Sequence, residues 1–206
     1  MLLYDNAKSS NALKARFALH ELGLAYDTRH VDFTYPRPDW YLAVNPVGGI
    51  PTLDDDGFVL AESNTILRYL ATREGRDDLY PAAARERGRI DEFLDRFSMT
   101  LRPALFRIER PALGYLEGHG FDGVARDAAG GREAAAKVAA ELRTLDGLLA
   151  ENGTVLGAFT IADMAAAPAV YRTIHTGLDL APYPRIAAFR ATVTARPGFQ
   201  AAGPVI

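Results

Sequence analysis

Strand-like apolar runs occur only in the first seventy residues of this chain; from Arg85 onward the apolar positions keep helical spacing. Such patterning predicts a small mixed unit followed by an all-helical one. Leu2 to Tyr4 reads as a short buried strand, Ala12 to Leu22 as a helix with Leu13, Phe17 and Leu22 inward, and Tyr26 to Val31 as a second strand. A Pro-rich loop, Tyr35-Pro36-Arg37-Pro38, leads into a helical turn around Trp40 to Val44. Strands at Pro51 to Leu53 and Phe58 to Ala61 follow, joined by a turn at Asp54-Asp55-Asp56-Gly57. Ser63 reads as the N-cap of a helix with Ile66, Leu67 and Leu70 as its apolar stripe. The order is βαβ…ββα, with a mixed sheet.

Beyond Arg85, the residues Ile90, Phe93, Leu94, Phe97, Leu101, Leu105 and Ile108 keep one helical face, with a kink expected at Pro103. A second helix is predicted from Arg132 to Ala150, with Glu133 and Lys137 as a surface pair, and Asp127 to Gly131 as a loop or frayed end. A third begins at Thr160, where Thr160-x-x-Asp163 is a capping box and Phe159 with Met164 has staple spacing. Pro184 opens a fourth, carrying Ile186, Phe189 and Val193. The boundaries drawn are residues 1–73, a linker at 74–84, and 85–206.

A net charge of −3 argues against nucleic acid as the main partner. No run reaches membrane-span length, and Met1-Leu2-Leu3-Tyr4-Asp5 does not suit a signal peptide, so a cytoplasmic protein without membrane partners is expected. The chain has no cysteine, so it forms no disulfide, offers no thiolate ligand and has no thiol nucleophile. Any thiol it handles comes with a ligand. His20, His30, His119 and His175 show no metal spacing, so no metal is predicted. The acidic run Asp54 to Asp56 reads as a solvated turn.

Two stretches concentrate chemistry. Between Asn45 and Leu70, Pro51 opens a strand and leaves the backbone at Gly49 and Ile50 free to pair with another extended chain. Close by lie a helix N-terminus suited to a carboxylate and Glu62, suited to an ammonium. Together they describe a pocket for a small zwitterionic peptide. The second stretch, Tyr4 to Asn11, joins the first strand to the first helix. There Ser9, Ser10 or Asn11 caps the helix, or one of them donates a hydrogen bond to a ligand thiolate; the polar run exceeds what a cap requires. Tyr4 is a rival hydroxyl, although its place in the strand favours burial. Trp40 either lines the pocket or fills the core.

Taken in order, SSNALKARFALHELGL, NPVGGIPTL, AESNTILRYL, DLYP and FTIADM resemble the cytosolic glutathione transferases over nearly the whole chain. The resemblance implies a thioredoxin-like N-terminal domain with a four-stranded mixed sheet, an all-helical C-terminal domain and a cis Ile50–Pro51 bond. It implies glutathione as cosubstrate, held through Trp40, Gly49, Ile50, Pro51, Glu62 and Ser63, with Ser9 activating the thiol and Ser10 and Asn11 as second choices. It also implies a small hydrophobic electrophile between the domains, near Phe97, Leu101, Phe106, Tyr171 and His175, and a homodimer with Arg68, Arg96 and Arg102 near its seam. Members with a zeta-like activity read Ser-Ser-Cys where this chain has Ser9-Ser10-Asn11. The alternatives are therefore a glutathione-dependent isomerase or dehalogenase, or a non-catalytic binding module.

Overall fold

The structure, a computed structural model, describes residues 1–113, 115–116, 120–121, 128–173 and 176–204, with the backbone alone described at 110–113, 115–116, 120–121, 128–129 and 131. The N-terminal domain runs β1 (Leu2–Asp5), α1 (Ser10–Glu21), β2 (Asp27–His30), α2 (Asp39–Leu42), β3 (Thr52–Asp55), β4 (Phe58–Ala61) and α3 (Ser63–Arg73). Its sheet has the order β2-β1-β3-β4, with β2 parallel to β1 and both β3 and β4 antiparallel to their neighbours. The central strand β1 is apolar, whereas edge strand β2 (DTRH) is exposed along its length, which discourages pairing with another chain. Alternation splits the sheet's two faces. Leu3 and Leu53 face the main core with Phe17, Leu67 and Leu70, while Tyr4 joins Val31 and Tyr41 on the other side.

Two local readings of this domain need correction. The hairpin turn is shorter than four residues: Asp55 pairs with Phe58, leaving Asp56 (φ 52°) and Gly57 (φ 92°) as a two-residue turn of the kind that matches strand twist. Asp55 is consequently buried rather than solvated, ion-pairing with Arg73 Nε at 2.8 Å and accepting the Tyr69 hydroxyl at 2.6 Å. The cap of α3 is Glu62, not Ser63. The Glu62 carbonyl accepts the first helical bond, from the Ile66 N–H at 2.9 Å, and its φ of 67° lies where side chains are uncommon.

The helical domain starts with α4 (Ala84–Arg96), a π-helical segment (Phe97–Leu101) and α5 (Arg102–Leu113). The π-helical turn ends two residues before Pro103, whose missing N–H interrupts regular α-helical bonding. Two-residue strands β5 (Tyr115–Leu116) and β6 (Gly120–Phe121) follow, then α6 (Ala128–Lys137), α7 (Ala139–Leu148), α8 (Ile161–Thr173), α9 (Pro184–Thr194) and α10 (Pro197–Ala201). The helix predicted from Arg132 to Ala150 is therefore two helices, parted where the fully buried Val138 leaves helical geometry at φ −117°. Of the loop expected at Asp127 to Gly131, Ala128 onward is helical, and Asp127 lies outside the described residues. Glu133 and Lys137 pair at 2.7 Å as predicted.

Thr160 and Asp163 form the capping box: the Thr160 N–H donates to Asp163 Oδ2 at 2.8 Å, and the Ala162 N–H to Thr160 Oγ1 at 3.2 Å. Phe159 packs at a tilt near Phe17 and under the Arg196 guanidinium. One continuous core joins the two domains, running from Leu3 and Phe17 to Phe93, Val170 and Phe199. Helix α8 packs against α1 and α3 as well as α4 and α5. Two long-range bonds reinforce that joint: Arg16 Nε donates to the Ala202 carbonyl at 2.9 Å, and Arg172 Nη2 donates to the Lys8 carbonyl.

Candidate active site

The loop between β1 and α1 is fixed by its own polar side chains. Asn6 Nδ2 donates to the Val31 carbonyl at 2.8 Å, while Asn6 Oδ1 accepts the Lys8 N–H at 3.0 Å, closing an Asx turn. Arg16 Nη1 grips both Asp5 oxygens at 2.7 and 2.8 Å, and its Nη2 reaches the Ala7 carbonyl at 3.2 Å. The chain thus enters α1 with Ser9 at the cap (φ −80°, ψ 119°), its Oγ accepting the Ala12 N–H at 3.1 Å. A hydroxyl carries one donor and two acceptor positions. Capping occupies one acceptor position, and the Ser9 O–H proton goes to no recorded acceptor among the described residues. Ser9 is therefore the cap and still has a hydrogen to give. Ser10 is also buried, and its Oγ accepts from Arg102 Nη2 at 3.0 Å, whereas Asn11 is exposed.

Across from this loop, the Ile50–Pro51 bond is cis. The expectation of a free backbone holds for one residue only. The Gly49 carbonyl is occupied, accepting from Asn45 Nδ2 at 3.0 Å and from the Tyr41 hydroxyl, while the Ile50 peptide enters no backbone hydrogen bond among the described residues. Gly48 before it has φ 70°, and a Cβ there would sit 2.9 Å from Arg37 Cγ, so the turn needs glycine. Arg37 is itself buried, donating to the carbonyls of Gly48 (3.0 Å), Asp32 (2.6 Å) and Thr34 (3.1 Å). It stiffens the Pro-rich loop against the rim of the site.

A cleft of ≈ 580 Å³ brings these parts together. Ser9, Ser10 and Asn11 line it, with Gly49, Ile50 and Pro51 opposite and Glu62 and Ser63 at one end. Of the residues expected for a second substrate, only Phe106 lines it. Phe97 is fully buried against Phe93, Leu101 lies in the core, and Tyr171 packs edge-on against Phe199. His175 lies outside the described residues. Trp40 does not line the cleft; its ring lies 3.8 Å beneath the Arg29 guanidinium, beside Tyr4 and Tyr41.

Sequence reasoning missed three arginines. Arg37, Arg102 and Arg172 all line the cleft. Arg102 pairs within the chain with Glu109, 3.2 Å from Nη1 to Oε1. Its position seven residues before Glu109 puts both on one helical face, a signal the sequence did contain. Glu109 is wholly buried; desolvation pushes its carboxyl above the usual range, opposed by Arg102 and Arg172. Arg68 and Arg96 are occupied on their own chain, with Asp91 at 2.7 Å and Glu92 at 3.3 Å.

Residues 8–73 match the family model described as "Glutathione S-transferase, N-terminal domain", and residues 101–197 match its "C-terminal domain" counterpart. Glutathione S-transferase 3 of Zea mays is 33% identical over 96% of this chain and 90% of its own length. This chain belongs to the glutathione S-transferase family. Maleylacetoacetate isomerase of Rhizobium meliloti is 31% identical over 98% of the chain and 95% of its own. Among solved structures, the theta class transferase of Xanthomonas axonopodis pv. citri with glutathione bound superposes with a TM-score of 0.83 at 27% identity, covering 100% of this chain and 97% of that one. The family accounts for the sheet order, the cis bond and the helical half together.

Proposed function

We propose that the protein is a serine-type glutathione transferase. Glutathione lies in the cleft with its cysteinyl backbone paired to Ile50 and its γ-glutamyl end at Glu62 and the N-terminus of α3. Its sulfur is directed at Ser9. The observation that carries this reading is the Ser9 hydroxyl: it completes a helix cap, keeps a donor position and lines the same cleft as Ile50 and Ser63. A free thiol has a pKa of about 8.5, so roughly 3% is thiolate at pH 7. Lowering that value by two units requires about 2.7 kcal/mol of preference for the anion. A hydroxyl bond to sulfur together with the α1 N-terminus provides that order of energy. Arg102, 3.0 Å from Ser10 Oγ, adds positive potential on the same side. No proton is taken by the serine.

The second substrate meets Pro103 and Phe106, an apolar wall, beside two guanidinium groups, Arg102 and Arg172. That composition fits an electrophile with an apolar body and an anionic group better than a purely hydrophobic one. It also favours a second reading, a glutathione-dependent isomerase of acidic substrates. The end of α3 at Arg73 supports the first boundary, whereas α4 opens at Ala84, one residue before the second boundary at 85. A homodimer is supported by the exposed Phe58 and Val59 on the hairpin.

The deciding test is the ultraviolet absorbance of bound glutathione against pH. A thiol pKa depressed by one to two units from its free value in the wild type, restored in Ser9→Ala, is the expected result. An undepressed thiol in the wild type would leave a binding module. Restoration in Ser10→Ala instead would move the role by one residue.

A further inference from the structure

We propose that Lys14 is the buried counter-charge for the ligand carboxylate seated at the N-terminus of α3, so that capturing the ligand is coupled to uptake of a proton. The inference rests on the glutathione reading above and concerns how that site is tuned. Lys14 projects from α1 and is 3% exposed. Its Nζ reaches Asn64 Oδ1 at 3.2 Å and Ser63 Oγ at 3.5 Å, both in the first turn of α3. An ammonium has three protons to donate, and these two partners are neutral. No carboxylate among the described residues lies within ion-pair distance of it. A buried cation without a counter-ion is costly, and although Lys14 does not line the cleft, its two bonds tie it to the first turn of α3, whose Ser63 does.

Its surroundings define its state. Glu62, at the β4–α3 junction, favours the ammonium without reaching it; Arg102 of α5 opposes it. Arg16, two residues along α1 and on its far side, is committed to Asp5. From α8, Arg172 holds the Lys8 carbonyl, and Asp163 is engaged at the far end of that helix. Helix α10 carries no charged residue, and Arg68 and Arg73 of α3 are paired with Asp91 and Asp55. Burial foremost, then Arg102, brings the Lys14 pKa down to about 7. Without ligand, ammonium and neutral amine therefore coexist near neutrality. A carboxylate arriving at the first N–H groups of α3 supplies the missing charge and favours the ammonium. By reciprocity, protonation of Lys14 strengthens binding as much as binding strengthens protonation.

The probe is S-methylglutathione, which keeps the carboxylates and ammonium of glutathione but has no ionisable thiol. Calorimetric titrations in buffers of differing ionisation enthalpy measure the protons exchanged. With a bound-state pKa of 9 or above, the wild type should take up roughly 0.8 proton at pH 8 and roughly 0.1 at pH 6, with affinity falling about ninefold between them. Lys14→Met should take up at pH 8 only the smaller fraction that the ligand's own α-amine contributes, with the Lys14-dependent part of the change in affinity gone. Lys14→Arg, with a fixed charge, should bind at pH 8 nearly as the wild type does at pH 6, again with no uptake beyond that of the ligand's amine; it carries the test if Lys14→Met does not fold. Binding without uptake in the wild type, or uptake undiminished in the Lys14 variants, overturns this inference and leaves the glutathione site standing. Failure of S-methylglutathione to bind at any pH overturns both.

Discussion

Among the described residues, two helix N-termini are capped by a hydroxyl, and the two hydroxyl protons meet different fates. At α8, Thr160 caps and Asp163 answers it. The carboxylate accepts the Thr160 N–H at 2.8 Å, the Thr160 hydroxyl at 3.2 Å and the Val155 N–H at 2.7 Å, and Asp163 is wholly buried. At α1, Ser9 accepts one N–H, and no side chain among the described residues claims its proton. The first cap is closed on itself and holds a domain together. The second is open on one side and faces a cleft. What separates the satisfied cap from the open one is thus the fate of a single hydrogen atom.

The largest effect should come from breaking the closed cap. Asp163→Ala orphans two backbone N–H groups and a hydroxyl in the core, and should cost on the order of 3–5 kcal/mol in urea unfolding. The open cap should fail differently. Ser9→Ala should lower turnover with an activated aryl halide by about a hundredfold, close to 2.7 kcal/mol of barrier, while costing only about 1 kcal/mol of stability. A Ser9→Ala protein that loses as much stability as Asp163→Ala would erase the contrast. Next, Glu62→Ala should weaken glutathione binding by about 1–3 kcal/mol in calorimetry without altering thiol ionisation, which assigns affinity and activation to different ends of the cleft.

The smallest effect concerns pH. Lys14 has a folded pKa of about 7, below its unfolded value, so the unfolded chain holds the extra proton above pH 7. Its contribution to stability is therefore lost as pH falls through 7 and recovered on the alkaline side. Free of ligand, the wild type should gain about 1 kcal/mol relative to Lys14→Met between pH 7 and pH 8, read from paired denaturation curves.

Features written in neighbouring residues were legible in the sequence. The Thr160–Asp163 box, the Glu133–Lys137 pair and the buried Ile186, Phe189 and Val193 stripe each depend on spacing alone. Features set by distant contacts were not. Val138 breaks a helix with no glycine or proline to announce it, because its side chain is drawn fully into the core. Lys14 and Arg16 sit on a helix that is buried almost all round, since α3, α8 and α10 cover it together. Arg37, Arg102 and Arg172 reach the cleft from three separate parts of the chain. Glu62 displaced Ser63 as the cap by a single residue, a matter of one φ angle that composition does not encode.

The bond from Arg16 to the Ala202 carbonyl spans 186 residues, and the one from Arg172 to Lys8 spans 164. Both arginines hold the short loop that presents Ser9. During synthesis the sheet and its first helix leave the ribosome long before either tether exists. The serine is among the first residues made, and its loop is among the last parts to be locked. Both tethers to the Ser9 loop therefore wait on translation reaching the far end of the helical half.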